Sequence, residues 1–146
     1  MNRRWALLLN RQGAKRIEPT DAENRIARQI VDAAFVVHRT LGPGLLESVY
    51  EQCLACELGV RGLSVERQVT APVIYRNIRI DAGFRMDMVV NGVLVVEIKA
   101  NERLLPVHEA QLLTYLRLSG YRLGLLINFN VPRIKDGLRR VIFSAP

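Results

Sequence analysis

"FRMDMVVNGVLVVEIKA", residues 84–100, is the stretch on which the fold turns. Its β-branched and apolar residues form two strand-length runs about Asn91-Gly92, a dipeptide suited to the positive backbone angles of a tight hairpin. A nearly continuous apolar run such as "VLVVEIKA" belongs at the centre of a sheet, covered on both faces. Yet the stretch carries Asp87, Glu97 and Lys99. Glu97 and Lys99 are two apart, so both leave one face of their strand while Ile98 leaves the other. Asp87 joins that face only if the hairpin is not a two-residue turn pairing Val90 with Val93, which would set Asp87 opposite Val96. A three-residue loop of Val90, Asn91 and Gly92, with Gly92 left-handed and a bulge, pairs Val89 with Val93. Asp87 then lies opposite Val95 and diagonal to Glu97.

Two carboxylates this close raise each other's pKa, and an apolar sheet keeps both ionised only with a cation between them. A hard divalent ion, Mg²⁺ or Mn²⁺, takes oxygen ligands of the kind that Asp87, Glu97 and the Ile98 carbonyl supply. Lys99 would orient or deprotonate a water, or stabilise negative charge developing on phosphorus, which points to metal-assisted phosphodiester hydrolysis. The alternative is an internal ion pair of Asp87 or Glu97 with Lys99 or Arg85 at the exposed end of the sheet. Two helical segments add weight to the catalytic alternative. Glu47 opens one, with Tyr50 a turn along on the same face, and Gln111 and Tyr115 form an i, i+4 pair on the helix after the lysine strand.

Working outward, Thr20 or Asp21 caps an amphipathic helix that ends at Gly42, and "GPGLLESVYEQCLACELGVRG" restarts a helix that stops at Gly59 or Gly62. From Leu63 the period becomes two, with breaks expected at Pro72, Arg76-Asn77 and Ala82-Gly83, as in an antiparallel meander. Pro106 begins a third helix ending at Gly120, "YRLGLLINFN" is another buried strand, and a last strand lies near Arg139 to Phe143. The predicted order is α-α-β-β-β-β-α-β-β, an α/β sandwich whose mixed central β-sheet is flanked by helices, with a crossover helix joining parallel neighbours.

The 146 residues suit one domain. Of the formal charge of +7, Arg3, Arg4, Arg11, Lys15 and Arg16 contribute +5, leaving the remainder at +2. Residues 1–20 are therefore expected to form a basic, flexible extension, and residues 21–146 the folded domain. The apolar stretch Trp5 to Leu9 is too short for a secretory signal, and no run is long enough to span a bilayer, so a cytoplasmic protein without membrane contact is expected. Cys53 and Cys56 lie in a helical pattern with no second pair, which disfavours a zinc knuckle. His108 is expected to be satisfied by a backbone group at its helix start, and His38 by terminal carbonyls at its helix end.

"GLLESVY", with Gly44, Glu47 and Tyr50, resembles the defining motif of the bacterial GxxExxY proteins, a branch of the PD-(D/E)xK nuclease superfamily. The similarity runs over roughly residues 22 to 143, with "DMVVNGVLVVEIKA" and "PVHEAQLLTYLRLSGYRLGLLINF" among its most specific parts. It implies a restriction-endonuclease-like core. Its implied roles are Glu47 as a helix-borne acid near the metal, Asp87 and Glu97 as metal ligands, Lys99 as the catalytic lysine, and Gln111 and Tyr115 as a Q-x-x-x-Y pair positioning the lysine or the phosphate. Met86 stands where the superfamily's name puts proline. The resemblance implies a nuclease acting on nucleic acid, DNA in the first instance, with Arg67, Arg76, Arg79, Arg85 and Arg103 as candidates for backbone contacts. A homodimer would let two copies cut both strands, although no sequence feature demands one. The other function compatible with these residues is a binding module, for nucleic acid or protein, that keeps the acids without turnover.

Overall fold

Thr20 accepts the Glu23 amide on its side chain while Glu23 accepts the Thr20 amide, and this capping box begins α1 (Asp21–Leu41). Gly42, at φ 70°, ends it as the sequence predicts. The computed structural model describes residues 18–144. The predicted basic extension therefore falls, over residues 1–17, outside the described residues. There follow α2 (Glu47–Val60), β1 (Val65–Tyr75), β2 (Ile78–Val90), β3 (Leu94–Lys99), α3 (Pro106–Ser119), β4 (Leu123–Asn128), a 3-10 turn (Ile134–Gly137) and β5 (Leu138–Ile142). Pro106 opens α3 and Gly120, at φ 83°, closes it.

The strands form one sheet in the order β1-β2-β3-β4-β5, with β3 central. All neighbours are antiparallel except β3 and β4, which are parallel and joined through α3. One face buries Ile30, Tyr50, Leu54, Leu58, Met88, Val96 and Ile98 against α1 and α2. The other buries Met86, Val89, Val95 and Leu126 against Leu112 and Leu116 of α3. The mixed α/β sandwich thus follows from apolar runs that need cover on both sides.

Between α2 and β3 there are two long strands rather than the three pieces expected, so the observed order has one strand fewer. Of the three predicted breaks, only Arg76-Asn77 turns the chain, with Arg76 at φ 55°. Pro72 lies at a register shift on the edge strand β1, where a missing amide is tolerated. Gly83 is inside β2 because Val73 crowds it. A Cβ there would lie 2.3 Å from Val73 Cγ2 and 2.8 Å from the Val73 amide nitrogen.

The β2–β3 hairpin also closes one residue later than expected. Val90 pairs with Leu94, Val89 with Val95 and Met88 with Val96, so the loop is Asn91, Gly92 and Val93. Asn91 and Gly92 are both left-handed, at φ 51° and 65°. Asn91 tolerates this because its Oδ1 accepts the Ser64 amide at 2.8 Å and its own amide donates to Ser64 O at 2.8 Å. Continued by one pair, this register sets Asp87 directly across from Glu97 instead of diagonal to it.

Candidate active site

At Asp87 the β2–β3 ladder stops and side chains take over the backbone bonds. The Asp87 amide donates to Glu97 Oε1 at 3.0 Å, and the Ile98 amide donates to Asp87 Oδ2 at 2.8 Å. The side-chain alternation of β2 resets here too: Met86 belongs to the cluster beneath α3 and Met88 to the one beneath α1 and α2. Across from Asp87 on β1, Gln68 adopts φ 53°, a conformation that non-glycine residues rarely hold. Its side chain donates to Glu51 Oε1 at 2.6 Å, and Arg67 donates to Glu51 Oε2 at 3.2 Å. These irregularities open the sheet between β2 and β3.

The opening is a cleft of about 470 Å³ whose wall brings together Glu47, Asp87, Glu97, Lys99, Gln111 and Tyr115. All six side chains singled out in the sequence meet there. Lys99 Nζ donates to Gln111 Oε1 at 3.3 Å, so α3 holds the lysine as its spacing after β3 suggested. Tyr115 stacks on Phe84 with ring centroids 4.8 Å apart. Burial, then the nearby Glu97 and Asp87 charges, raise its phenol pKa. Ile98 turns its side chain into the opposite core, as alternation requires. Its backbone borders a neighbouring hollow of about 240 Å³ that shares Glu47, Arg85 and Asp87 with the cleft.

Glu97 is only 4% exposed. Burial and the adjacent Asp87 push its carboxyl up to about 8 from the ordinary 4.5, with the Asp87 amide and Lys99 acting in the opposite direction. Glu47 stands at the exposed rim, and burial together with Asp87 raises its carboxyl as well, against Lys99 and the Ala100 amide. Two of the carboxyls that line the cleft, Glu97 and Glu47, are therefore held above their ordinary range. Among the described residues no three His, Cys, Asp or Glu side chains converge as a ready-made metal cluster. Mg²⁺ does not need one, since it binds through one or two carboxylates and keeps several waters. The donor chemistry of Asp87, Glu97, Glu47 and the Ile98 carbonyl fits such an ion.

The loop ahead of Glu47 explains the glycine and tyrosine of "GLLESVY". Gly44 is at φ 99°, and its amide donates to Asn130 Oδ1 at 3.0 Å. Tyr50 is buried and stacked on Phe129 at 4.7 Å, and so does not enter the cleft. Its hydroxyl donates to Gly42 O at 2.6 Å and accepts the Leu45 amide at 3.1 Å, which fixes the turn from which Glu47 projects. Asn130 Nδ2 also donates to Asn101 O at 3.3 Å, tying this loop to the segment after Lys99. Buried Asn128 completes the tie by accepting the Asn101 amide at 3.1 Å.

Sequence reasoning overlooked Thr70, Phe84 and Glu51, and named Arg85 only as an ion-pair alternative for the acids and among five arginines for backbone contacts. The spacing of Glu51 four residues after Glu47 was a usable signal, but nothing local marks Gln68. His108 accepts the Leu105 amide on Nδ1 at 2.9 Å, as expected of a helix-start histidine. His38 instead bonds Val131 O at 2.7 Å, far from its own helix end in sequence, because that connection packs over it. Cys53 is half-buried and Cys56 exposed, and both are free thiols.

A family model described as PD-(D/E)XK nuclease superfamily matches residues 24–141. No curated protein matches the chain. A solved structure described as the crystal structure of SSO0001 is similar in fold, with a TM-score of 0.53 at 19% identity over 84% of this chain. The match covers 63% of that protein's chain.

Proposed function

The chain belongs to the PD-(D/E)XK nuclease superfamily, and from that membership we propose that its cleft hydrolyses phosphodiester bonds in DNA with Mg²⁺ or Mn²⁺ as cofactor. The observation that carries this reading is the Asp87–Glu97 pair, with Glu97 buried and pushed up to about 8, beside a lysine held by Gln111. Asp87, Glu97, Glu47 and the Ile98 carbonyl would hold the ion, which when bound supplies Lewis-acid polarisation of the phosphate and a more acidic water. Lys99, fixed by Gln111, orients the attacking water or neutralises charge that develops on phosphorus. Tyr115 and Phe84 offer a flat wall against which the scissile nucleotide is positioned. Within the superfamily, "GLLESVY" supports the bacterial GxxExxY branch, and a domain set off from a basic extension at residues 1–20 belongs to the same proposal. No helix among the described residues is long and apolar enough to cross a membrane, and a cytoplasmic setting is part of the proposal.

The test is a Mg²⁺ and Mn²⁺ titration with single- and double-stranded DNA and RNA. Cleavage should appear with metal and vanish in Asp87→Ala and Lys99→Ala chains whose thermal unfolding shows them folded. A wild-type chain that binds these polymers but never cuts them would leave a binding module in place of an enzyme.

A further inference from the structure

We propose that the outer half of the β1–β2 hairpin, residues 73–84, is an arm that holds duplex nucleic acid beyond the cleft. The proposal rests on the nuclease reading and says how substrate is gripped. Beyond Met88, β2 leaves β3 and continues with β1 alone, through the pairs Val73–Ile80, Ile74–Arg79 and Tyr75–Ile78. A two-stranded ribbon without a core is marginal by itself in water. This one nevertheless exposes Ile74 (65%), Tyr75 (58%), Ile78 (58%) and Ile80 (50%), a concentration of apolar surface that marks an interaction site.

Charge and continuity identify the occupant. Residues 73–85 carry Arg76, Arg79 and Arg85 against one acid, Asp81. The Arg76 guanidinium lies over the Tyr75 ring at 5.8 Å, and Arg79 pairs with Asp81 at 2.7 Å in full solvent, an ion pair weak enough to yield to a phosphate. The Arg85 guanidinium has no hydrogen bond or ion pair among the described residues, and it borders the cleft beside Asp87. The ribbon therefore begins as the wall of the active site and ends in two arginines. A polyanion leaving the cleft would run along it, and a two-stranded ribbon has the width of a major groove. The register shift and Pro72 blunt β1 as an edge for strand addition by a second protein. Between the Ala71–Phe84 and Tyr75–Ile78 pairs the ribbon extends roughly 13 Å at ~3.3 Å per residue. A stacked tetranucleotide spans only about 10 Å and, seated in the cleft, falls short of the tip, whereas a long duplex reaches it.

The experiment compares the wild type with Arg76→Ala/Arg79→Ala on a tetranucleotide and on a duplex of about 30 base pairs, a length of roughly 100 Å. Turnover is measured with Mg²⁺ or Mn²⁺, and duplex binding by fluorescence anisotropy over a range of salt. The double variant should bind the duplex on the order of tenfold more weakly. Its slope of log affinity against log salt should be shallower by about 2. Cleavage of the tetranucleotide should be unchanged. Duplex binding and salt slope equal to wild type would overturn the proposal, as would equal losses on both substrates. If Ile78→Ser/Ile80→Ser converts a dimer to a monomer by light scattering and leaves duplex binding intact, the surface serves a second copy and the arm is wrong. A wild type that cuts neither substrate removes the nuclease reading instead, and the anisotropy comparison still decides the arm.

Discussion

Glu97 shows what a single residue contributes here. Its carboxyl is pushed up to about 8, chiefly by burial and then by Asp87, so the folded chain holds more protons than the unfolded one between the ordinary 4.5 and that value. Stability of the metal-free chain must then fall as pH rises through this window, the reverse of a salt-bridged acid. Thermal unfolding in chelator from about pH 5 to about pH 8 should show that decline, and Glu97→Gln should flatten it and raise the midpoint at the alkaline end. A divalent ion that binds the ionised pair should restore stability most at the alkaline end, by about 2.7 kcal/mol at a hundredfold excess over its Kd. The acids and the lysine were legible in sequence because they interrupt an apolar strand. The shared face was legible too, since the register expected and the register observed differ by two and so preserve alternation. Direct opposition of Asp87 and Glu97 was hidden, because the loop position depends on Asn91 bonding Ser64, a partner just ahead of β1 and distant in sequence.

At the scale of elements, the helices were readable from their ends: Thr20, Gly42, Pro106 and Gly120 act through local backbone chemistry. β2 was not, because a glycine in a strand either breaks it or admits a close neighbour, and only the partner strand decides which. Gly83→Ala tests this. Its Cβ would meet the Val73 backbone, and overpacking of this kind costs about 1–3 kcal/mol, measurable as a loss in chemical denaturation. The start of α2 offers a second test. Tyr50→Phe keeps the stack on Phe129 but removes the hydroxyl shared by Gly42 and Leu45. A loss of about 1–2 kcal/mol is expected from the unpaired groups, together with a lower kcat as Glu47 loses its fixed origin. Unchanged stability in urea would show that the hydroxyl does not hold that turn.

For the molecule as a whole, the layers and the central place of β3 follow from where apolar runs are longest, whereas the Asn128–Asn130 ties follow only from which loops meet at one end of the sheet. The limits of the folded unit combine both kinds of information. Composition puts the boundary after the basic residues, near position 20. Among the described residues, contacts reach back to Glu18: Pro19 is buried, Thr20 caps α1, Arg122 donates to Glu18 O at 3.5 Å, and Arg140 bonds Asn24. A chain starting at Glu18 retains all of these contacts. One starting at Ala22 should lose about 1 kcal/mol with the cap, and more as the Arg122 and Pro19 contacts go. The same pair of truncations separates fold from charge. Removing residues 1–17 takes away the +5 of Arg3, Arg4, Arg11, Lys15 and Arg16. Long-duplex affinity should then weaken with a salt slope shallower by up to about 4.5, while cleavage of a tetranucleotide in the cleft stays constant. Equal duplex affinity with and without those residues would confine nucleic-acid contact to the cleft and its ribbon.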